Sequence, residues 1–344
     1  MVRGGYGRYY DEIFSNITLY EYWSQVSSPT FFISAAPAPF TAAEYQANRE
    51  AIRNSFIDPT FAGQLLRLTS PALVQPSNDQ FTVGFSQAFG QNASLDVDYV
   101  YSKGHDEIQR WRINTPQNLN TEISPAGVFA PDYAAILVEG NQSRSTFQGL
   151  YAAAKVRNEK AYLIATYAWS TAKNGANGFN TQPSDISNLN FDQDFNWAPN
   201  DVRHRATLAG VYQLPAGFQV STGIQWNTGR PFNALAGLGG VRNAVRANDP
   251  ATGQMFPRNE CVIGGTDKCR AGEFFTWDLR LSKMFKMGGA RELEIFGQVF
   301  NLTNHTNFDY DSYVTRFTSP NFGNPTEILP GSQRQAEFGA RFRF

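Results

Sequence analysis

Asp192, Asp194 and Asn196 alternate in FDQDFN, three oxygen-bearing side chains at a spacing that suits a calcium loop. An EF-hand loop would also need Gly at its sixth position and Glu at its twelfth, where this chain has Trp197 and Arg203. The segment therefore reads first as an acidic, solvated loop and only second as a loop calcium site. His105-Asp106-Glu107, and His204 close behind Asp201, set imidazoles beside carboxylates, the pairing that positions a general base. The 3 histidines are scattered, however, and no Ser or Cys stands in a nucleophile setting such as GxSxG. No catalytic set is expected. Cys261 and Cys269 bound the segment CVIGGTDKC, where Gly264 and Gly265 permit a short closed loop. A disulfide is the natural reading in an oxidising compartment. Two unrelated thiols are the alternative, and a metal site would want more ligands than lie nearby.

The segments between these groups alternate with a period of two, so strands must position them. Four pairs stand out: 79–89 with 93–103, 144–156 with 160–173, 202–213 with 217–228, and 273–286 with 291–302. In the first pair Phe81, Val83, Phe85 and Phe89 share a face, while Leu95, Val97, Tyr99 and Tyr101 oppose Ser94, Asp96, Asp98 and Ser102. The last segment, 333–344, sets Ala336, Phe338, Ala340, Phe342 and Phe344 against Gln335, Glu337, Arg341 and Arg343. With 2–10 at the front, about ten strands result, most near the roughly 9 to 11 residues that cross a bilayer at a tilt. Within 11–78, the stretch 41–56 has helical spacing, with Thr41 as N-cap and Glu44 three residues on.

Tight turns join the members of each pair, and long segments separate the pairs: 11–78, 104–143, 174–201, 230–272 and 303–332. A compact soluble domain rarely tolerates several structureless loops longer than about 15 residues. Outer-membrane barrels do so routinely, with short periplasmic turns and long extracellular loops. Composition agrees: charged residues are only 17%, aromatics reach 14%, and a net charge of −1 offers nucleic acid no basic footprint. A mean hydropathy of −0.39 does not argue against strands whose faces alternate. The expected fold is all-β: an antiparallel transmembrane β-barrel portion of about ten strands in the bacterial outer membrane, with membrane lipid around it. Asp96, Asp98, Arg144, Gln148, Gln219, Gln225, Arg280, Glu292, Glu294, Glu337 and Arg341 are expected to face the lumen. Tyr9, Tyr10, Phe89, Tyr101, Trp169, Tyr212, Trp226 and Phe285 suit interfacial girdles, and the loop aromatics Trp111, Trp197 and Phe232 suit stacking on a ligand. A self-closing ten-stranded barrel acting as a surface enzyme or adhesin is the alternative.

VRGGYGRYYDEIF near the start, NWAPNDVRHR before 202, LEIFGQVFNLTNHTNF at 293–308 and the terminal FGARFRF resemble the C-terminal barrel region of TonB-dependent receptors, specifically the Oar-like group. Phe300-Asn301 followed by Asn304-His305-Thr306-Asn307-Phe308 is the most specific part. The resemblance covers essentially the whole chain. It implies uptake of a nutrient, or a surface function, by a barrel of about 22 strands around a plug that contacts TonB. Plug, TonB box and first strands have no counterpart here, and MVRGGYGRYY lacks the pattern of a secretory signal. Residues 1–344 are therefore expected to be the C-terminal part of a longer receptor, reaching TonB only through the plug it lacks. The resemblance also implies that Phe338, Phe342 and Phe344 form the signal read by the barrel-assembly machinery. It names no ligand and no cofactor.

Overall fold

A computed structural model describes residues 1–13, 17, 64–114, 133–178, 181, 191–236, 246–289 and 291–344. The helix expected over 41–56 lies outside them. The strands are β1 (Val2–Tyr10), β2 (Gln64–Thr69), β3 (Ser77–Phe89), β4 (Ala93–Asn114), β5 (Tyr133–Arg157), β6 (Ala161–Asn174) and β7 (Asn196–Trp197). They continue as β8 (His204–Gln213), β9 (Phe218–Asn227), β10 (Val262–Ile263), β11 (Thr266–Asp267), β12 (Phe274–Lys286), β13 (Glu292–Phe300) and β14 (Gln335–Arg343). One sheet runs β1-β3-β4-β5-β6-β8-β9-β12-β13-β14, every step antiparallel. It is open: among the described residues β1 and β14 are its two edges, and each pairs on one side only.

Local chemistry explains the turns. Asn158 Oδ1 accepts the N–H groups of Lys160 and Ala161, closing the β5–β6 turn through its side chain. Gly288 and Gly289 take φ of 88° and 61° between β12 and β13, which side chains with a Cβ adopt at a cost. The strand registers place all four tight turns, Met1 and Phe344 at one end of the sheet. Long connections gather at the other.

Register also fixes the faces. Phe85↔Val97↔Ala152↔Tyr167↔Ala206↔Trp226↔Phe275 is one continuous row, and the rows two residues away are mostly apolar, with Gln87 and His204 as exceptions. This outer face leaves Phe81, Val83, Phe85, Leu281, Ile295 and Phe338 exposed, as a face meeting hydrocarbon would. The opposite face carries Asp96, Asp98, Gln219, Gln225, Arg280, Glu292, Glu294, Glu337 and Arg341. Three expectations need correction. Gln148 pairs with Tyr101, and Arg144 shares its parity, so both belong to the outer face; Tyr9, opposite Asn78, belongs to the inner one.

The strands β4 and β5 are longer than expected, 22 and 25 residues. A bulge between Gly104 and Glu107, with Asp106 at φ 55°, shifts the register, and pairing resumes above it. There β2 adds to β5 in parallel, beyond the point where β6 ends. Ile108, Ile136 and Leu137 are buried in this upper sheet, and Arg110 holds Glu139 in a buried ion pair.

Candidate functional site: a charged inner wall under a packed loop cap

Two ionic clusters lie on the inner face. At the β1 edge, Arg3 donates from Nε and Nη2 to the two oxygens of Asp98 at 3.0 and 2.5 Å. Its Nη1 reaches Ser86 Oγ, which donates to Asp96 at 2.6 Å. The residue between Arg3 and Asp98 in the row is Gly84, where a Cβ would run into both the carboxylate and the guanidinium. Glycine there makes room for the pair. At the β14 edge Arg280 donates to Glu294 at 2.8 Å and lies over the Phe296 ring, and Arg341 sits 3.8 Å from the same carboxylate. Gln298 donates to Glu337, and Arg343 stands 3.9 Å from Glu292. The central strands present Thr166, Ala168, Ser170, Thr207, Ala209, Ser221 and Gly223 inward, with Arg205, exposed in the Ala168 row, as the charge among them. Of the eight charged residues expected to face the lumen, Asp96, Asp98, Arg280, Glu292, Glu294, Glu337 and Arg341 sit in one cluster or the other, and Arg144 lies on the outer face.

The described parts of 230–272 and 303–332, at the opposite end from the turns, are packed where structureless segments were expected. Phe232, Ala234, Ala247, Phe256, Cys261 and Cys269 form a buried cluster, with Tyr310, Tyr313, Phe317 and Phe322 against it. Phe317 bridges the two loops, its ring 5.2 Å from Phe256 and 5.1 Å from Phe322. Cys261 and Cys269 are joined by a disulfide, and Asp267 Oδ1 accepts both of their N–H groups. Asn307, 1% exposed, both accepts from the N–H and donates to the C=O of Phe275. Its amide stands in for a strand neighbour where β13 has ended. Asn301 does a similar service, donating to His305 and Ser332 carbonyls while its own N–H reaches Asp278. Under this cap a cavity of about 400 Å³ opens inward, lined by Thr276, Asp278, Phe300, Asn301, Leu329 and Gln335 among others.

Buried charge fastens the cap to the strands. Arg246 meets Asp194 at 2.9 Å with both side chains almost wholly buried. Asp201 takes Arg270 at 2.8 Å and also accepts the Ala172 N–H. Arg258 donates to the Asn174 carbonyl and to Asn177, and burial pushes its guanidinium down to about 10. Tyr310, stacked under Arg230, is raised chiefly by burial. No sequence period marks these pairs, and only the NWAPNDVRHR resemblance pointed near them.

The other sequence candidates separate. Asp192 goes to Arg144, Asp194 to Arg246, and Asn196 donates to Glu260, so the three oxygens do not converge. Among the described residues no group of three or more His, Cys, Asp or Glu is placed to hold a metal. His105 meets Asp79 at 3.1 Å, whereas Glu107 is bonded to Ser145. His204 turns away from Asp201, to Tyr167 at 2.7 Å and the Trp226 ring. Phe232 is in the cap core, Trp197 lies between Lys173 and Arg203, and Trp111 contacts Phe191; these rings are occupied within the protein rather than offered to a ligand.

The chain belongs to the outer membrane β-barrel domain family, which it matches over residues 1–337, and its place is the outer membrane. None of the curated proteins is significantly similar to it in sequence. Among solved structures it is similar to the outer membrane transporter YddB from Escherichia coli, at 14% identity and TM-score 0.53, over 98% of this chain and 37% of that one. It also aligns with the ferric-catecholate import receptor Fiu of E. coli K12 (13%, TM-score 0.43, 79% and 28%) and the FrpB iron transporter of Neisseria meningitidis (13%, 0.44, 80% and 32%). The chain spans about a third of the length of these proteins.

Proposed function

We propose that residues 1–344 are the C-terminal part of the barrel of a TonB-dependent outer-membrane receptor of the Oar-like group, serving uptake of a nutrient or a surface function. The observation that carries the reading is the open sheet: among the described residues, ten strands in sequence order with β1 and β14 each unpaired on one side. In hydrocarbon an unpaired edge costs several kcal/mol per unsatisfied backbone group, so both edges call for further strands. The alignment over nearly all of this chain but little more than a third of a transporter supports the same reading. In it the turns are periplasmic, the packed cap is extracellular, and the two charged clusters of the inner wall face the plug. The chain is then transport wall rather than enzyme. Phe338 and Phe342, exposed on the outer face of β14, and the exposed Phe344 just beyond it are what the barrel-assembly machinery reads.

Photo-crosslinking of the full-length protein to TonB in intact cells tests this. An adduct that forms only in energised cells is expected. Absence of an adduct, where a known receptor in the same cells gives one, would contradict TonB coupling.

A further inference from the structure

Toward the loop end, the outer face of β1 to β6 carries a row of charged residues. On β4, Lys103 lies about ten residues from the tight turn; at roughly 3.3 Å per residue and a tilt near 40°, that is about 25 Å of height, the thickness of the apolar band. Lys103 therefore leaves the hydrocarbon where headgroups begin. Register puts it in one row, Arg8↔Asp79↔Lys103↔Thr146↔Lys173, all on the outer face. Three cations thus recur on alternate strands, about 10 Å apart. Below them come Tyr6, Phe81 and Tyr101, a belt of rings suited to the interface. At a comparable height β8, β9 and β12 present His204, Trp226 and Phe275, and Trp226 donates to the Glu273 carboxylate, so the row of cations does not continue there.

The partners of these cations differ. Arg8 is held by Asp79 at 2.6 Å, with Tyr6 and His105 on the same carboxylate. Lys173 stands over the Trp197 ring, which Arg203 covers as well. Lys103 is exposed and has no ion pair among the described residues. The row thus holds more positive charge than its one carboxylate neutralises, on a face whose neighbour is lipid.

We propose that the outer face of β1 to β6 is a docking surface for the phosphorylated headgroup of an anionic lipid, with Lys103 and Lys173 as its principal contacts and the Tyr6–Phe81–Tyr101 belt against its acyl chains. The positive row beside a bilayer supplies charge complementarity, and its confinement to one half of the sheet gives the site a location. The idea goes beyond the transport reading and needs only the membrane placement.

Native mass spectrometry of the full-length protein from nanodiscs of phosphatidylcholine and phosphatidylglycerol tests it. Wild type is expected to retain phosphatidylglycerol preferentially. Each lysine near an anionic surface should contribute about fivefold, so Lys103→Gln with Lys173→Gln should lose about twenty-five-fold. Lys103→Arg with Lys173→Arg should keep the preference, as should Lys155→Gln near the turns on the inner face. Wild type without a preference, or the double glutamine variant retaining it, overturns the proposal. So does displacement of the lipid by millimolar inorganic phosphate, which would mean a site for free anions.

Discussion

Val97→Arg is the substitution that most sharply separates the two faces of the sheet. Val97 sits in the row Phe85↔Val97↔Ala152, about four residues above the β3–β4 turn, which puts it roughly 10 Å into a 25 Å apolar band. A cation near the bilayer midplane costs about 2 to 4 kcal/mol, falling to about 0 to 1 near the interfaces. The neighbouring Asp96 points the other way and accepts one bond from Ser86 Oγ at 2.6 Å. Asp96→Asn keeps its shape and loses only part of a charge-assisted hydrogen bond, about 0.5 to 1.5 kcal/mol. Reversible unfolding of the full-length protein by guanidinium in bilayers would measure both. The expected order is Val97→Arg well above Asp96→Asn, with Tyr101→Arg between them because it sits nearer the interface. Equal costs at 97 and 96 would refute the assignment of faces.

Arg280→Ala should destabilise by about 1 to 3 kcal/mol, because Glu294 is left partly buried with only the distant Arg341; a double-mutant cycle with Glu294→Ala that shows no coupling would contradict the pairing. Asn307→Ala leaves both backbone groups of Phe275 without their partner, and should cost about 2 kcal/mol or more while exposing 301–334 to protease in folded protein. Replacing Cys261 and Cys269 by Ser should cost about 2 to 3 kcal/mol from the loop they close; non-reducing peptide mapping that finds both thiols free in envelope protein would contradict the bond. Phe344→Ala should lower the fraction of full-length protein inserted in the outer membrane, and unchanged insertion would remove Phe344 from the assembly signal.

Much of the barrel wall was legible because side chains in a strand have a period of two and lipid tolerates few charges on one face. Phe81, Val83, Phe85 and Phe89 declared their face unaided. Gln148 and Arg144 were misplaced because polarity was taken as the sign of the lumen, although their parity matches Leu150. The upper halves of β4 and β5 were hidden by the bulge at Gly104–Glu107, which breaks alternation where the polar segment begins. The cap was illegible for a different reason. Phe232, Phe256, Phe317 and Phe322 meet through irregular backbone, where no spacing links residues so far apart in sequence. Asn301 and Asn307 were marked by resemblance alone, and their role emerges only from the carbonyls and N–H groups they satisfy.

Heat-modifiable gel migration tests most directly whether residues 1–344 are part of a larger barrel. Residues 1–344 expressed alone should give no compact, membrane-inserted species, because β1 and β14 would meet as foreign partners. The full-length protein should give one. A compact inserted species from residues 1–344 alone would contradict the account and favour a self-closing ten-stranded barrel.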